Sequence, residues 1–315
     1  MKRLQQTGQA LGSNALLTLV LADSADADKL FCALWEKINL FEQKFSRFLP
    51  GSELSKFNRQ AGKTVVISPE FKQLLEVSKL MSQKTSGTFN LFILPSLQKA
   101  GYLNSWVKST SDGVPDLFQN KNLVSSMRLN INHNSAKIPA NSALDLGGIG
   151  KGWLLDRLSK YLERQDIKHY WLSLGGDIIC EGNDIDGQPW QVAVANAISP
   201  ESNIEQISNR GRRLAIATSG TVKRQGVYSG KRWHHLIDPK TNEPAVTDIL
   251  TATVCAKTAV AADVAAKCLI IGGQKKMKNI ARVLQIDFML LQSKMADDSK
   301  KSVRIVKKHF VRRNQ

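Results

Sequence analysis

Alternating apolar and polar positions predict a series of β-strands along the chain. Residues 170–174 read Tyr-Trp-Leu-Ser-Leu, and a period of two places every second side chain on the same face of a sheet. Near the C-terminus, two such runs follow one another closely, which is typical of a hairpin. The predicted strands are 16–21, 127–131, 170–174, 190–195, 214–218, 250–255, 288–292 and 303–307.

Apolar residues with a helical period lie between these strands. In residues 26–45, the side chains of Leu30, Leu34, Ile38 and Phe41 form one stripe along a helix. The predicted helices are 26–45, 70–84, 151–163 and 258–271. Strands and helices are mixed without a regular strand-helix-strand repeat, so we predict an α+β fold: one globular domain with two lobes around a cleft.

The net charge of the chain is strongly positive, with 44 Lys and Arg against 27 Asp and Glu, which gives +17. Such an excess raises the question of nucleic-acid binding. We do not expect it, because the sequence has no helix-turn-helix pattern, RNA-binding signature or zinc-finger spacing. The densest basic run is C-terminal, where Lys and Arg on an edge strand discourage pairing with other strands. We therefore predict one domain over 1–315, with 294–315 as a basic edge strand and tail.

The cysteines and the apolar runs indicate where the protein resides. Four cysteines lie far apart in apolar stretches without any C-x-x-C pair, which argues for reduced thiols and against a disulfide framework or zinc ribbon. The N-terminal run 15–22 is short, contains Thr18 and precedes acidic residues, so it predicts a strand and not a signal peptide. No other run approaches the roughly 20 apolar residues of a membrane helix. We expect a cytoplasmic protein without a membrane span.

A glycine-rich segment, ALDLGGIGKGWLLD at 143–156, joins a short apolar run to a helix. Backbone N–H groups at such a junction can bind an anion. The segment is not a P-loop, because Asp145 stands where that motif needs glycine and Gly152 where it needs a hydroxyl. It does not fit the dinucleotide fingerprint either. Glycines required by a tight turn remain the structural alternative.

Two further features carry candidate chemistry. His234 and His235 are adjacent on a predicted strand and point to opposite faces, so at most one can line a given site. No histidine has companions at zinc-ligand spacing, which argues against a zinc enzyme. Asp263 is an isolated carboxylate in an apolar helix, where burial without a partner would be costly. It either forms an ion pair with Lys267, one turn later, or binds Mg²⁺.

Taken together and in this order, these segments resemble the FAD:protein FMN transferase family, the ApbE-type flavin transferases. Any one block is weak evidence, but their order is specific, and the similarity runs over nearly the whole chain. The matching blocks are 12–13, 45–48, 52–58, 86–90, 145–156, 174–177, 218–220, 235–241 and 262–263.

The resemblance implies an enzyme that binds FAD in a cleft and uses Mg²⁺. Such an enzyme moves FMN to a Thr or Ser hydroxyl of an acceptor protein and releases AMP. The resemblance implies that Asp263 and the Gly150 carbonyl hold the metal and that His235 is a candidate base. The residues expected to bind FAD are Phe48, Gly147, Gly148, Lys151, Gly176, Asp177, Thr218, Ser219 and Gly220. An FAD-binding or FAD-hydrolysing protein that has lost transfer is the alternative.

The chain departs from the family pattern at three positions. Lys267 stands where the family has a threonine that helps coordinate the metal, and an ammonium cannot ligate Mg²⁺. We treat Lys267 as a candidate catalytic residue and expect it to reach the pyrophosphate while Asp263 keeps the metal. Asn90 replaces an aspartate and so removes a carboxylate. Asn242 replaces a glycine, a mild change because asparagine tolerates the left-handed conformation.

Overall fold

The computed structural model describes residues 1–23, 25–103, 129–228, 230–295 and 303–309. Its strands are β1 (Lys2–Ala10), β2 (Ser13–Leu21), β3 (Val65–Val66), β4 (Asn130–Ile131), β5 (Ser135–Lys137), β6 (Tyr170–Leu174), β7 (Asp177–Glu181), β8 (Gln191–Ala195), β9 (Asn203–Ser208), β10 (Leu214–Gly220), β11 (Gln225–Tyr228), β12 (Lys231–His234), β13 (Ile237–Asp238), β14 (Glu243–Pro244), β15 (Ile249–Ala256), β16 (Ile286–Lys294) and β17 (Val303–His309). Its helices are α1 (Ala27–Phe45), α2 (Glu53–Arg59), α3 (Pro69–Lys84), α4 (Leu94–Ala100), α5 (Gly150–Arg164), α6 (Ala259–Gly272) and α7 (Met277–Leu284).

An eight-stranded antiparallel sheet forms the centre of the fold, in the order β1-β2-β6-β7-β10-β15-β16-β17. Helix α6 packs on one face of its central strands β10 and β15. On the other face, Val192 and Val194 of β8 join a cluster with Ile216 and Cys255. Covered on both sides, β15 is buried along its whole length, as a nearly continuous apolar run requires.

The helices are positioned by side-chain caps and apolar stripes. Asp26 accepts a hydrogen bond from the Lys29 N–H at the start of α1, and Thr258 does the same for the Ala261 N–H of α6. These caps satisfy N–H groups that a helix leaves unpaired at its start. The stripe predicted for α1 is buried from Leu30 to Phe41 and faces the core. None of the described helices has the length and apolarity needed to cross a membrane.

The α+β prediction agrees with this architecture, and the division into two lobes stays a prediction. Each predicted helix is present, and the predicted strands are present except that only 130–131 of 127–131 form a described strand. The pattern missed β1, because its residues are mostly polar and it lies at an edge of the sheet. It missed α2 and α4 because seven residues are too few to establish a helical period. Strand β17 is the other edge, and the expected tail at 296–302 and 310–315 lies outside the described residues.

Candidate active site

A cavity of about 370 Å³ lies where the glycine-rich segment meets α1, α6 and the loop after β12. Several residues expected from the sequence line it: Phe48, Gly147, Gly148, Gly150, Lys151, His235 and Lys267. Others do not belong to the lining: Gly176, Asp177, Thr218, Ser219, Gly220 and Asp263. The fold therefore brings residues from four separate sequence blocks to one cavity. Asp177 and Asp263 lie behind the residues that line it.

Two lysines of the cavity wall are each paired with a buried aspartate. Lys267 forms an ion pair with Asp263, and Lys151 forms one with Asp177. The aspartate side chains are 1% and 3% exposed, whereas the lysines are 12% and 17% exposed. Burial raises the pKa of Asp263, and the ammonium groups of Lys267 and Lys151 oppose that rise. The cavity is thus faced by the cationic partner of each pair.

Helices α5 and α6 approach each other closely at their N-termini. A Cβ atom on Gly152 would lie 2.6 Å from the Ala259 carbonyl oxygen, so only glycine allows this contact. Asp156 of α5 accepts hydrogen bonds from the N–H groups of Ala259 and Val260, at 2.8 and 3.0 Å. Asp263 of α6 in turn accepts from the Gly152 N–H at 3.4 Å. Each helix therefore supplies a carboxylate to the positive end of the other.

The glycine-rich segment also uses its own aspartate. Asp145 Oδ1 accepts a hydrogen bond from the Gly147 N–H at 2.8 Å, and its Oδ2 lies 2.8 Å from Arg47 Nε. The N–H groups of Gly147 and Gly152 are therefore used by carboxylates of the protein. Gly152 is needed for the packing of α5 against α6, and Gly148 and Gly150 line the cavity. The Gly150 N–H donates to the Leu146 carbonyl at 2.7 Å, and anion binding by this segment stays a prediction.

Of the two adjacent histidines, His235 lines the cavity and His234 does not. Both nitrogens of the His234 ring interact with the backbone: Nε2 donates to the Ala245 carbonyl at 3.0 Å, and Nδ1 accepts from the Leu236 N–H at 3.3 Å. His235 Nδ1 lies 3.3 Å from the Arg224 carbonyl oxygen. Since a carbonyl only accepts, His235 carries its proton on Nδ1 and leaves Nε2 as a proton acceptor.

The pKa of His235 is lowered to about 3, chiefly by burial, with further contributions from the positive charges of Arg224 and Lys267. The imidazole is therefore neutral at pH 7. Arg224 lines the same cavity, and its guanidinium donates to Ser13 Oγ at 3.3 Å. No ion pair of Arg224 is found in the described ranges. The sequence carried no signal for this arginine. It reaches His235 because β11 pairs with β12, which brings the residue before β11 next to the residue after β12.

The segment Thr218–Gly220 was predicted to line the cleft and bind FAD; its residues are not among those that line this cavity, and their part in FAD binding stays a prediction. On β10, Ala217 faces the core under α6 while Ile216 belongs to the cluster on the opposite face. Because side chains alternate along a strand, Thr218 points away from α6. Its hydroxyl bonds to Thr253 Oγ1 at 2.9 Å, which makes it part of a cross-strand pair.

Gly176 lies in the two-residue turn between β6 and β7. Gly175 and Gly176 have φ values of +62° and +90°, the left-handed conformation that such a hairpin turn requires. The turn places Asp177 at the start of β7, beside Lys151. Gly176 and Asp177 therefore do not line the cavity; they affect it by positioning Lys151.

The other end of the cavity is aromatic. The Arg47 guanidinium lies 4.2 Å from the ring centre of Phe48 and 4.7 Å from that of Tyr102. Tyr102 stacks on Trp233, with ring centres 5.7 Å apart and planes inclined by 26°. The Arg47 side chain is 7% exposed and bonds to Asp145 and to the Tyr102 carbonyl. Phe48 was expected from the sequence, whereas Tyr102 and Trp233 carried no signal, because Tyr102 follows α4 and Trp233 lies on β12, two segments distant in sequence.

Comparison with known proteins decides the family. A sequence model described as the ApbE family matches residues 11–290. The chain belongs to the ApbE family. Among similar proteins, an FAD:protein FMN transferase of Vibrio cholerae serotype O1 is 27% identical over 277 residues, which cover 86% of this chain and 80% of that protein. One from Haemophilus influenzae is 26% identical over 245 residues, covering 76% and 71% of the two chains.

Solved ApbE structures share the fold. The flavin transferase ApbE from Vibrio cholerae superposes with a TM-score of 0.80 at 24% identity, over 97% of each chain. The ApbE flavinyl transferase of Pseudomonas stutzeri in its apo form gives a TM-score of 0.80 at 20% identity, over 97% of this chain and 94% of that one. At such identity the likeness shows the fold alone. It confirms the prediction of a single α+β domain of ApbE type.

Three residues differ from the ApbE pattern: Asn242, Asn90 and Lys267. Asn242 adopts φ +59°, the left-handed conformation that asparagine tolerates. Asn90 is buried against the cavity and accepts a hydrogen bond from the Phe92 N–H at 2.9 Å. Lys267 was expected to reach away from Asp263 toward the pyrophosphate, but the structure shows the two side chains joined as an ion pair.

This ion pair bears directly on the metal that the ApbE resemblance implies. Mg²⁺ prefers carboxylate and carbonyl oxygen ligands in near-octahedral geometry. Asp263 has one oxygen on the Lys267 ammonium and the other on the Gly152 N–H. The described residues contain no group of three His, Cys, Asp or Glu side chains that could hold a metal ion. With both of its oxygens engaged, Asp263 does not fit Mg²⁺ as a ligand while Lys267 holds this position.

Proposed function

We propose that the protein is an FAD:protein FMN transferase, which moves FMN from FAD to a Thr or Ser hydroxyl of an acceptor protein and releases AMP. The observation that carries the proposal is the meeting of Lys151, Lys267 and His235 at one cavity in a chain of the ApbE family. Two ammonium groups are suited to a diphosphate, and a neutral imidazole beside them is suited to accept a proton.

The chemistry is a phosphoryl-type transfer. The acceptor hydroxyl oxygen forms a bond to the phosphorus on the flavin side of FAD, and the bond from that phosphorus to the bridging oxygen breaks. AMP leaves with the bridging oxygen and its electron pair, and the hydroxyl proton passes to His235 Nε2. Such a reaction depends mainly on positioning and on the neutralisation of negative charge at the phosphoryl oxygens.

The low pKa of His235 is consistent with this role in the presence of substrate. In the free protein, burial and nearby cations keep the ring neutral and able to accept a proton. A bound diphosphate adds negative charge beside the same ring, and opposite charge favours the protonated form. We infer that FAD itself raises the proton affinity of His235 when the reaction needs it.

Flavin binding is assigned to the aromatic end of the cavity. The rings of Phe48 and Tyr102 border it, and flat apolar ring systems pack well against aromatic side chains. The Mg²⁺ that the resemblance implies does not enter this proposal, because Asp263 is already paired. A cytoplasmic location likewise stays a prediction.

The test is to incubate the purified chain with FAD and an acceptor protein that has an exposed threonine, in a buffer containing Mg²⁺. We expect the acceptor to gain the mass of the FMN group and AMP to be released in equal amount. An acceptor with that threonine changed to valine is the matched control and should gain nothing. Free FMN and AMP without an adduct would contradict transfer and indicate hydrolysis.

A further inference from the structure

The wall of the cavity nearest α6 carries two lysines where a cation would be useful to an FAD-cleaving enzyme. Lys267 and Lys151 are partly exposed to the cavity, and their aspartates lie behind them with at most 3% of the side chain exposed. Each buried carboxylate fixes the position of one ammonium group, since an unpaired charge in that environment would be costly. The cavity therefore has two positioned cations in place before any ligand arrives.

Both carboxylate oxygens of Asp263 already have hydrogen-bond partners, the Lys267 ammonium and the Gly152 N–H. The neighbouring residues of α6, from Ala259 to Ala266, are buried and have no charged side chain other than Asp263. Lys267 comes from the next turn of the same helix, so the two side chains are neighbours on one helix face, and the structure shows them joined as an ion pair. A divalent cation at Asp263 would have to displace this ammonium or lie close beside it, and like charges repel strongly in a site of low exposure.

Arg224 adds a third positive group to the same wall. It lies close enough to His235 for its charge to act on that ring, and it has no ion-pair partner among the described residues. Lys151, Lys267 and Arg224 carry three positive charges, and Asp177 and Asp263 neutralise two of them. This wall therefore has a surplus of one positive charge, which favours an anionic ligand such as a diphosphate. The other charged residues of the cavity lining are Glu42 and the ion pair of Arg47 with Asp145.

We propose that Lys267 takes the place of a divalent cation in this protein, so that Lys267 and Lys151 bind the diphosphate of FAD and support transfer without a metal. The inference rests on the proposed function for the identity of the substrate. In the transfer step written above, the two ammonium groups stabilise the charge on the phosphoryl oxygens while the oxygen-phosphorus bond to the acceptor forms and that to AMP breaks. The step needs no additional reactant.

The first experiment measures FAD affinity by equilibrium titration of the full chain in excess EDTA and in millimolar Mg²⁺. We expect the same dissociation constant in both buffers, and direct titration of Mg²⁺ into the chain alone should show no binding. If the unmodified chain loses FAD in EDTA and regains it when Mg²⁺ is added, the proposal is overturned.

The second experiment uses Lys267→Thr, which removes the ammonium and leaves a small hydroxyl beside Asp263. Without this charge-assisted hydrogen bond, FAD binding in EDTA should be roughly 10- to 100-fold weaker, and Mg²⁺ should then restore part of it. Lys278→Thr removes the same charge from an exposed position on α7 and is the matched control, with no effect expected. Unchanged FAD affinity of Lys267→Thr in EDTA would contradict a contact between Lys267 and the diphosphate.

A folding defect in Lys267→Thr would be recognised by circular dichroism, and Lys267→Arg then replaces it. Arginine keeps the positive charge, so this variant should bind FAD equally with and without Mg²⁺. Dependence on Mg²⁺ in Lys267→Arg would count against the proposal.

Failure of the proposed function is distinguishable from failure of this inference: FAD would bind independently of metal, but no acceptor protein would become modified.

Discussion

The two ends of the cavity use a buried aspartate in opposite ways. At the cationic end, Asp263 and Asp177 hold Lys267 and Lys151 so that their ammonium groups reach the cavity. At the aromatic end, Asp145 pairs with Arg47, whose side chain is 7% exposed and whose guanidinium lies against the rings of Phe48 and Tyr102. The first arrangement presents charge to a ligand, and the second stabilises the protein and its ring cluster. A ligand with a diphosphate and a flat ring system matches both ends.

The largest expected effect is at the cationic end, in the variant His235→Ala. Removal of a general base should lower FMN transfer by roughly 10²–10⁴-fold, with FAD affinity nearly unchanged. His234→Ala is the matched control, because His234 bonds to the backbone outside the cavity and should leave the rate almost as it is. Equal rates for the two variants would contradict the assignment of His235.

The low pKa of His235 also predicts how the stability of the folded protein depends on pH. The pKa of His235 in the folded protein is about 3, below its ordinary value of 6.5. A histidine with a depressed pKa binds its proton more readily in the unfolded chain, so stability falls as the pH drops from 6.5 toward 3. Unfolding in urea between pH 7 and pH 4 should therefore show the unmodified protein losing stability more steeply than His235→Gln. Parallel losses in both would contradict the burial of a neutral ring.

The comparison of the two ends predicts a strong preference for FAD over riboflavin. Riboflavin can occupy the aromatic end but lacks the phosphates that Lys151 and Lys267 would bind. Because riboflavin cannot form these two charge-assisted hydrogen bonds, which contribute about 1.5–3 kcal/mol each, its affinity should be at least about 10²-fold lower. Equilibrium titration with both ligands measures the ratio. Similar affinities would mean that the cationic end does not contact the diphosphate.

Gly152→Ala tests the packing behind the cationic end. An added Cβ would meet the Ala259 carbonyl oxygen at 2.6 Å and force α5 and α6 apart. Such overpacking should lower the free energy of unfolding by about 1–3 kcal/mol, measured by urea denaturation. Gly51→Ala is the control, because a Cβ there meets nothing within 4 Å, and it should change stability by less than about 0.5 kcal/mol. If both variants were equally stable, the close helix contact would be in doubt.

The smallest effect is expected at the aromatic end. Phe48→Ala should weaken binding of FAD and riboflavin by the same factor, roughly 3- to 10-fold, because an aromatic pair contributes about 0.5–1.5 kcal/mol. Leu49→Ala, at the next cavity-lining position, is the control for loss of apolar area without loss of a ring. A change confined to FAD would show that Phe48 contacts the adenine or diphosphate part and not the flavin.

Much of the fold could be predicted because it depends on local periods. Strand β6 begins and ends at the residues that the alternation indicates, and α1 buries the predicted stripe. At the site, the sequence indicated Lys151, His235 and Lys267, which come to one cavity. It could not indicate Arg224 or Tyr102, since neither belongs to a periodic pattern or motif, and both reach the cavity through loops.

That Asp263 and Lys267 share one face of a helix follows from their spacing alone, because residues four apart are neighbours in any α-helix. It likewise follows from adjacency on a strand that His234 and His235 could not both serve one site. Three other features depend on the packed fold: Lys267 bonds to Asp263, Asp177 lies beside Lys151, and Thr218 faces away from α6. The reason is physical: a helical or strand period is set by neighbouring residues, whereas burial, ion-pair choice and cavity position depend on which distant segments pack against each element.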